Sequence, residues 1–481
     1  MKREFSFNLL ILLGLNLIVK PLYIFGIDIQ VQNTLGPEQY GLFFSIYNYT
    51  LLFQILLEFG ITNLVKRDVA ENNELATDYF SGLLGVKMWL CLLYIVVTLL
   101  SGMAIGYDSE HFLILAGMMG IQICMTFISF ARAVLAGYGL YKIDSFLSVF
   151  DKIIMILILG FILYGTSSFL LDLKTFVSVY LISVFMCAVI GIYLCYKNIP
   201  FTSFKINNSK FYDFVKLAFP YAMITFLMSI YGRIDAVFLE RLLPDGNYQA
   251  GVYAAGFRLL DVYMIFALLF SNLLLPMLSR NLADKEKMQQ LLHFVVGLLM
   301  TFTITGAVAG FTYMDEISQL LYHTNEKEWI STIGILIICI VPVGLSLIYG
   351  AAILAIGKLR KQNYLFIAGV ILSVVFNFIL IPDLKSKGAA YTALGVNLII
   401  SIGQIIIFYA ESQLKFLISF YLRLLTFILF TVIIFFGLNL IEINWILAII
   451  TGSLISLVSS MFLALFPREL MALRKLFSKE N

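Results

Sequence analysis

Charge is scarce in this chain. Of its 481 residues only 13% are Asp, Glu, Lys or Arg, and 61% are hydrophobic. Soluble domains carry about 25% charged and about 45–50% apolar residues, so a soluble core of this length is excluded. Cysteine is equally sparse. Cys91, Cys124, Cys187, Cys195 and Cys339 all fall in apolar segments, and no two stand at CxxC spacing. Neither a disulfide framework nor a metal site is indicated. The three histidines, His111, His293 and His323, lie near the ends of apolar segments and suggest no catalytic centre. There is no GxxxxGK[ST] loop, which argues against direct use of ATP. The net charge of +3 comes with no long basic tail, so nucleic acid is not an expected partner. Met1-Lys2-Arg3 precedes an apolar run that contains Lys20 and has no small-residue cleavage site. That run reads as a retained first helix and not as a signal peptide.

What is present is a succession of apolar stretches, each about 20 residues long, the length needed to cross a bilayer as a helix. The expected spans are 8–34, 40–65, 79–104, 111–137, 146–166, 174–197, 213–241, 249–279, 288–313, 329–356, 362–381, 388–411, 417–438 and 443–466. The fold class is therefore all-α, a polytopic membrane protein with about 14 transmembrane helices. Apart from Lys20, Lys87, Arg233 and Arg258, 23 of the 32 basic residues fall in connections or at helix ends on one side, from Lys2 and Arg3 to Lys479. The other side holds Lys174, Arg241, Lys327, Lys385 and Lys387. This bias predicts that both termini are cytoplasmic.

Two passages recur. Ile27-Asp28 followed by Leu35-Gly36-Pro37 and Gly41 resembles Ile234-Asp235 followed by Leu242-Leu243-Pro244 and Gly251. Ala133-Val134-Leu135-Ala136-Gly137, with Lys142 after it, resembles Ala352-Ile353-Leu354-Ala355-Ile356, with Lys361 after it. Both copies begin on the same side. The pattern predicts two pseudo-symmetric six-helix lobes in parallel repeat, 1–198 and 213–412. A cytoplasmic linker at 199–212 would join them, and two further spans with a tail would occupy 413–481.

Four basic residues, Lys20, Lys87, Arg233 and Arg258, lie inside the apolar runs. A charge at that depth costs several kcal/mol and ordinarily faces a protein cavity. Two come from each half, which points to a cavity between the lobes and an anionic cargo. Arg suits bidentate phosphate contacts and Lys acts as a point charge. These four are the candidate substrate-binding residues; internal pairing with Asp28, Glu58, Asp235 or Asp261 is the competing reading. Asp28 and Asp235 hold matching places in the repeat and, with Glu58 and Asp261, are candidates for ion coupling or gating. An acid in an apolar cavity can take up protons near neutral pH. Asp261 follows Arg258 by three residues and so shares its helix face. Pro21 and Pro220, each in the first span of a lobe, can kink it. Gln30, Gln32, Asn33 and Asn48 could satisfy sugar hydroxyls or serve as helix-end groups. The aromatics (43 Phe, 26 Tyr) are read as packing and interfacial anchors.

The stretch from Asp28 to Ala70 carries a more specific signal. It includes Gln32-Asn33-Thr34-Leu35-Gly36-Pro37-Glu38-Gln39-Tyr40-Gly41-Leu42-Phe43, then Leu57-Glu58-Phe59-Gly60-Ile61-Thr62-Asn63 and Arg67-Asp68-Val69-Ala70. This resembles the polysaccharide biosynthesis transporters, the O-antigen (Wzx-type) flippase group. That group belongs to the exporter superfamily that also holds multidrug extruders and the lipid II flippase. The resemblance implies a 14-helix, MATE-like fold in a bacterial inner membrane. It implies transfer of an undecaprenyl-diphosphate-linked oligosaccharide, an O-antigen or capsule repeat unit, from the inner to the outer leaflet by alternating access. A polysaccharide polymerase and glycosyltransferases are the implied protein partners. No cofactor is expected beyond a coupling H+ or Na+. Lipid II flippases carry an Arg directly before the first-span Asp; here Ile27 stands there, which counts against lipid II as cargo. A multidrug extruder should line its cavity with acids. A membrane polymerase or ligase should carry a large external loop, and these connections are short.

Overall fold

The computed structural model describes residues 14–465 except 63–64, 66–68, 70–74, 166–170, 200–207 and 442. Most of the expected linker lies outside the described residues, as do Lys2, Arg3, Asn63, Arg67, Asp68, the side chain of Pro220 and the C-terminal tail. Every described element is helical: α1 (Gly14–Leu52), α2 (Ile55–Glu58), α3 (Leu75–Ala104), α4 (Ser109–Gly137), α5 (Tyr141–Tyr164), α6 (Leu173–Asn198) and α7 (Asn208–Leu242). These are followed by α8 (Gly246–Arg280), α9 (Lys285–Thr312), α10 (Met314–Tyr322), α11 (Lys327–Ala355), α12 (Leu359–Ser412), α13 (Ile418–Leu440) and α14 (Trp445–Phe462). A helix is what a bilayer permits, because each backbone group finds its partner within the segment. Starts are marked by side chains that accept from first-turn amides. Asp108 caps α4, Asp172 caps α6, Asp284 caps α9 and Asn444 caps α14.

Twelve helices among the described residues are long and apolar enough to cross a membrane. Two of them fold back on themselves, which gives the fourteen passes expected from the sequence. In α12 the backbone leaves helical geometry at Lys385, with φ 54°. Gly388 then packs on Leu380, Gly369 on Ile400 and Gly403 on Leu365, pairs that close symmetrically about the break. In α1 the break is at Gly36, with φ 75° and ψ 167°, followed by Pro37. Glycine adopts that conformation without a Cβ penalty, and proline cannot donate to the preceding turn. Tyr23 and Tyr47, on opposite sides of this break, both reach the Lys152–Tyr180 pair. A π-helical turn, Ile24–Asp28, follows Pro21. The second pass departs from the continuous span expected at 40–65. It is interrupted after Leu52, resumes as α2, and turns through left-handed backbone at Phe59 (φ 39°) and Gly60 (φ 76°).

The repeat is written into the backbone. After α4, Gly139 N–H donates to Ala136 O and Leu140 N–H to Leu135 O. After α11, Gly357 N–H donates to Leu354 O and Lys358 N–H to Ile353 O. Gly139 and Gly357 both have positive φ, and the next helices start at Tyr141 and Leu359. This is one Schellman-type stop used twice at a constant offset.

By its internal contacts the chain divides into two compact units, Met1–Ala254 and Ala255–Asn481. The second unit packs α9, α11, the end of α12 and α13 around Leu299, Ile304, Ile348, Ile353, Phe408 and Phe427.

Candidate functional site

The interrupted second pass organises one polar cluster of the first unit. A helix end leaves carbonyl oxygens without partners in the helix, and here a lysine meets one. Lys87, on α3, is fully buried. Its ammonium donates to Thr126 Oγ1 at 2.7 Å and to Leu57 O at 3.3 Å, and lies 3.7 Å from Glu58 Oε1. The Phe130 ring stands 5.6 Å from the same nitrogen. Thr126 donates to Glu58 Oε1 at 2.5 Å, and Thr62 donates to Oε2. Glu58 thus shields a buried cation while its own side chain remains 22% exposed. That exposed side opens on a cavity of about 130 Å³ walled by α2 and by Ala222, Thr225, Phe226 and Ser229 of α7.

A second cluster surrounds Lys20. It lies in electrostatic range of Arg132, Asp151 and Lys152. Arg132 Nε donates to Asp144 Oδ1 at 2.7 Å. Lys152 sits mid-helix in α5, 3.4 Å from Asp151 and 3.3 Å from Tyr180 Oη, between the faces of Tyr23 and Tyr180. Charge bias along the chain assigns Arg132 and Lys152 to inner helix ends, and so misses this cluster. The signal that could have found it is Asp151-Lys152, two adjacent charges within the apolar run 146–166.

At α1 and α8 the backbones meet with nothing between them. A Cβ on Gly41 would collide with the Asn247 carbonyl oxygen, and one on Gly251 with that of Pro37. The contact is reciprocal: Pro37 and Gly41 of one hairpin face Asn247 and Gly251 of the other. From Asp235 to Gly251 the second copy has a few residues more than the first has from Asp28 to Gly41, so its turn is longer. Gln32 Nε2 donates to Gly251 O at 2.9 Å, while Gln32 Oε1 and Asn247 Oδ1 are buried without a hydrogen-bond partner. Asp28 and Asp235 are each 2% exposed, and Tyr253 Oη donates to Asp235 Oδ2 at 3.0 Å. Arg233 donates to Asn48 Oδ1 at 3.4 Å.

Near the α3–α4 connection, His111 lies between two acids, 2.7 Å from Asp108 and 3.3 Å from Glu240. Arg241 pairs with Glu240 and covers the Tyr107 ring at 4.5 Å. The Asp108 carboxyl is exposed and sits at about 2, pulled down by the hydrogen bond with the His111 side chain.

In the second unit Arg258 pairs with Asp261 at 3.2 Å, as their three-residue spacing allows. A cleft of about 440 Å³ between α9, α11, α12 and α13 is apolar apart from Thr312 and Ser401, with Phe311, Pro342, Leu398 and Phe436 in its wall. Of the eight residues singled out from sequence, the structure pairs Lys87 with Glu58 and Arg258 with Asp261. It sets Lys20 among charges of α4 and α5, and Arg233 beside Asn48. Among the described residues no group of three His, Cys, Asp or Glu side chains could hold a metal ion.

The fold is shared with solved transporters. The lipid II flippase MurJ, in an inward closed conformation, superposes with a TM-score of 0.65 at 16% identity, covering 93% of this chain and 98% of that one. A multidrug resistance MATE family transporter in an outward-facing conformation gives 0.59 at 15% identity, covering 84% and 94%. At such identities the likeness concerns the fold. By sequence, an uncharacterized membrane protein of Methanocaldococcus jannaschii is 22% identical over 382 residues, 75% of this chain and 87% of its own length. The capsular polysaccharide biosynthesis protein CapF of Staphylococcus aureus is 25% identical over 193 residues, 39% of this chain and 47% of its own length. The family model for polysaccharide biosynthesis proteins matches residues 7–282, more than half of the chain, and the chain belongs to that family.

Proposed function

We propose that this protein is a flippase that carries an undecaprenyl-diphosphate-linked oligosaccharide from the cytoplasmic to the outer leaflet of a bacterial inner membrane. The observation that carries this reading is the density of charge inside helices long enough to span a bilayer, in a chain of the polysaccharide biosynthesis family. Lys20, Arg233 and Arg258 are the proposed diphosphate contacts. Lys87 acts at one remove, by holding Glu58. The apolar cleft of the second unit suits a polyprenyl chain, since it offers hydrocarbon contact and almost no hydrogen-bonding partner.

Alternating access supplies the movement, with both termini cytoplasmic. The glycine crossing of α1 and α8 is the contact that would have to part on the outer side. Buried polar atoms without partners cost about 1–3 kcal/mol each, and opening there would hydrate Gln32 and Asn247. An inside-negative potential drives anions outward by about 2.3 kcal/mol per charge per 100 mV. For a diphosphate of about two charges that is roughly 4–5 kcal/mol at 100 mV, so a coupling H+ or Na+ at Asp28 or Asp235 serves mainly to reset the empty carrier.

Deletion of the gene is expected to leave lipid-linked oligosaccharide on the cytoplasmic leaflet, measured by protection from an external glycosidase. Accumulation on the outer leaflet would instead assign the protein to polymerisation or ligation. Lys20→Ala, Arg233→Ala and Arg258→Ala should each block export in folded protein; normal export by all three removes the diphosphate assignment.

A further inference from the structure

The cavity beside Glu58 has a composition that narrows its ligand. Its polar wall is Gln54, Glu58, Thr62, Thr225 and Ser229, and its flat apolar wall is Phe59 and Phe226. An ionised carboxylate offers about four lone-pair sites. Thr62 and Thr126 hydroxyls take two of Glu58's. The side chain is 22% exposed, so acceptor capacity remains toward the cavity.

Charge then discriminates among occupants. An anion would meet the carboxylate first, because Lys87 is fully buried and forms no part of the wall. A small cation would compete with an ammonium already 3.7 Å from the same carboxylate and seated on the Leu57 carbonyl. A neutral ligand rich in hydroxyl groups has neither difficulty. Its hydroxyls can donate to Glu58 and exchange hydrogen bonds with Gln54, Thr225 and Ser229, and its C–H face can lie on a phenyl ring. The volume, about 130 Å³, is well below the 300–1,000 Å³ of a site for drug-sized ligands. It has room for a single ring.

We propose that this cavity is a sugar subsite that takes one neutral pyranose of the transported glycan. Lys87 is its positioning residue, holding Glu58 in place as a hydrogen-bond acceptor. The inference rests on the proposed flippase reading and adds to it the part of the chain that reads the sugar.

The test is saturation-transfer NMR on the full-length protein in micelles, with a panel of neutral methyl pyranosides. At least one glycoside should receive transfer. Its affinity should fall about fivefold in Ser229→Ala, the worth of one hydrogen bond, and further in Glu58→Gln. Ser229→Ala removes the hydroxyl and adds neither charge nor volume, so it tests the site even where Glu58→Gln misfolds. Silence across the panel overturns the proposal, as does transfer unchanged in Ser229→Ala. Displacement of the glycoside by pyrophosphate or by sodium chloride would reassign the cavity to an anion or a cation. If the panel is silent while the deletion strain still accumulates cytoplasmic-leaflet glycan, the subsite fails and the flippase reading stands. If a glycoside binds and no such glycan accumulates, the flippase reading fails.

Discussion

The same place in the repeat is filled in opposite ways by the two units. In the first, Arg132 and Asp144 form an ion pair at 2.7 Å across the Schellman turn that ends α4. In the second, the positions at the same distance from the matching turn are Gly350 and Gln362, and the amides of Gln362 and Gln404 crowd Gly350. The turn is kept and the charge is not. The pattern is general: among the described residues every buried acid or lysine, namely Asp28, Lys87, Asp144, Asp151, Asp235 and Glu240, belongs to the first unit. The second unit buries amides, tyrosine hydroxyls and hydrocarbon, such as the Tyr349–Tyr421–Tyr409 hydroxyl chain that ends on His293. Backbone capping therefore recurs in both units, while the buried acids and the buried lysine lie in the first.

The sharpest way to break this contrast is at Glu58. Glu58→Ala leaves the Lys87 ammonium buried without its counter-charge, and should cost about 3–5 kcal/mol of stability. Lys87→Met leaves only a partly exposed carboxylate and should cost less. The double variant should recover much of the loss, and a double-mutant cycle by reversible denaturation in micelles measures the coupling. Additive losses would show that the pair is not a unit.

Next in size is the glycine crossing. Gly251→Val forces α8 away from the Pro37 carbonyl, with an overpacking cost of about 1–3 kcal/mol. Transport should be lost, and a thiol-reactive probe should label Asn247→Cys introduced in the same chain. Continued protection of that thiol would mean that the crossing tolerates the side chain.

The matched positions of the repeat give a direct comparison. Asp144→Ala strands the Arg132 guanidinium and should destabilise by about 1–3 kcal/mol. Gln362→Leu removes an amide whose oxygen has no partner and should be neutral within about 1 kcal/mol. Equal losses at both positions would erase the distinction between the units.

The smallest effect is expected at Asp108. Its folded-state carboxyl lies at about 2, below the usual 3.8, because His111 donates to it. A depressed acid contributes stability above its unfolded value, and that contribution is lost as pH falls from about 4 to about 2. Asp108→Asn should flatten the melting temperature over that window. An unchanged slope would show that other carboxylates dominate it.

Much of the fold is legible in the order of residues. The fold-back at Gly36-Pro37 is marked by residues that break helices, and the Arg258–Asp261 pair by a spacing of one helical turn. The interruption after Leu52 is not marked, because Phe53-Gln54 carry no breaker signal and the apolar run continues through them; the turn that follows is marked only by Gly60. Glu58 and Lys87 can each be singled out, but nothing in their separation shows that they meet. His111 has no joint signature with Glu240 and Arg241 for the same reason. They belong to segments more than a hundred residues apart.

The number and placement of the crossings are properties of the linear chain. Without water in the bilayer core, hydrogen bonds must close within each segment, so apolar length and local breakers are sufficient to locate a span. Which charges are neutralised, which carbonyl receives the lysine, and where a polar cavity remains are outcomes of packing in three dimensions. They depend on how helices distant in sequence rotate and cross, and the hydrophobic pattern of a single helix does not encode that choice.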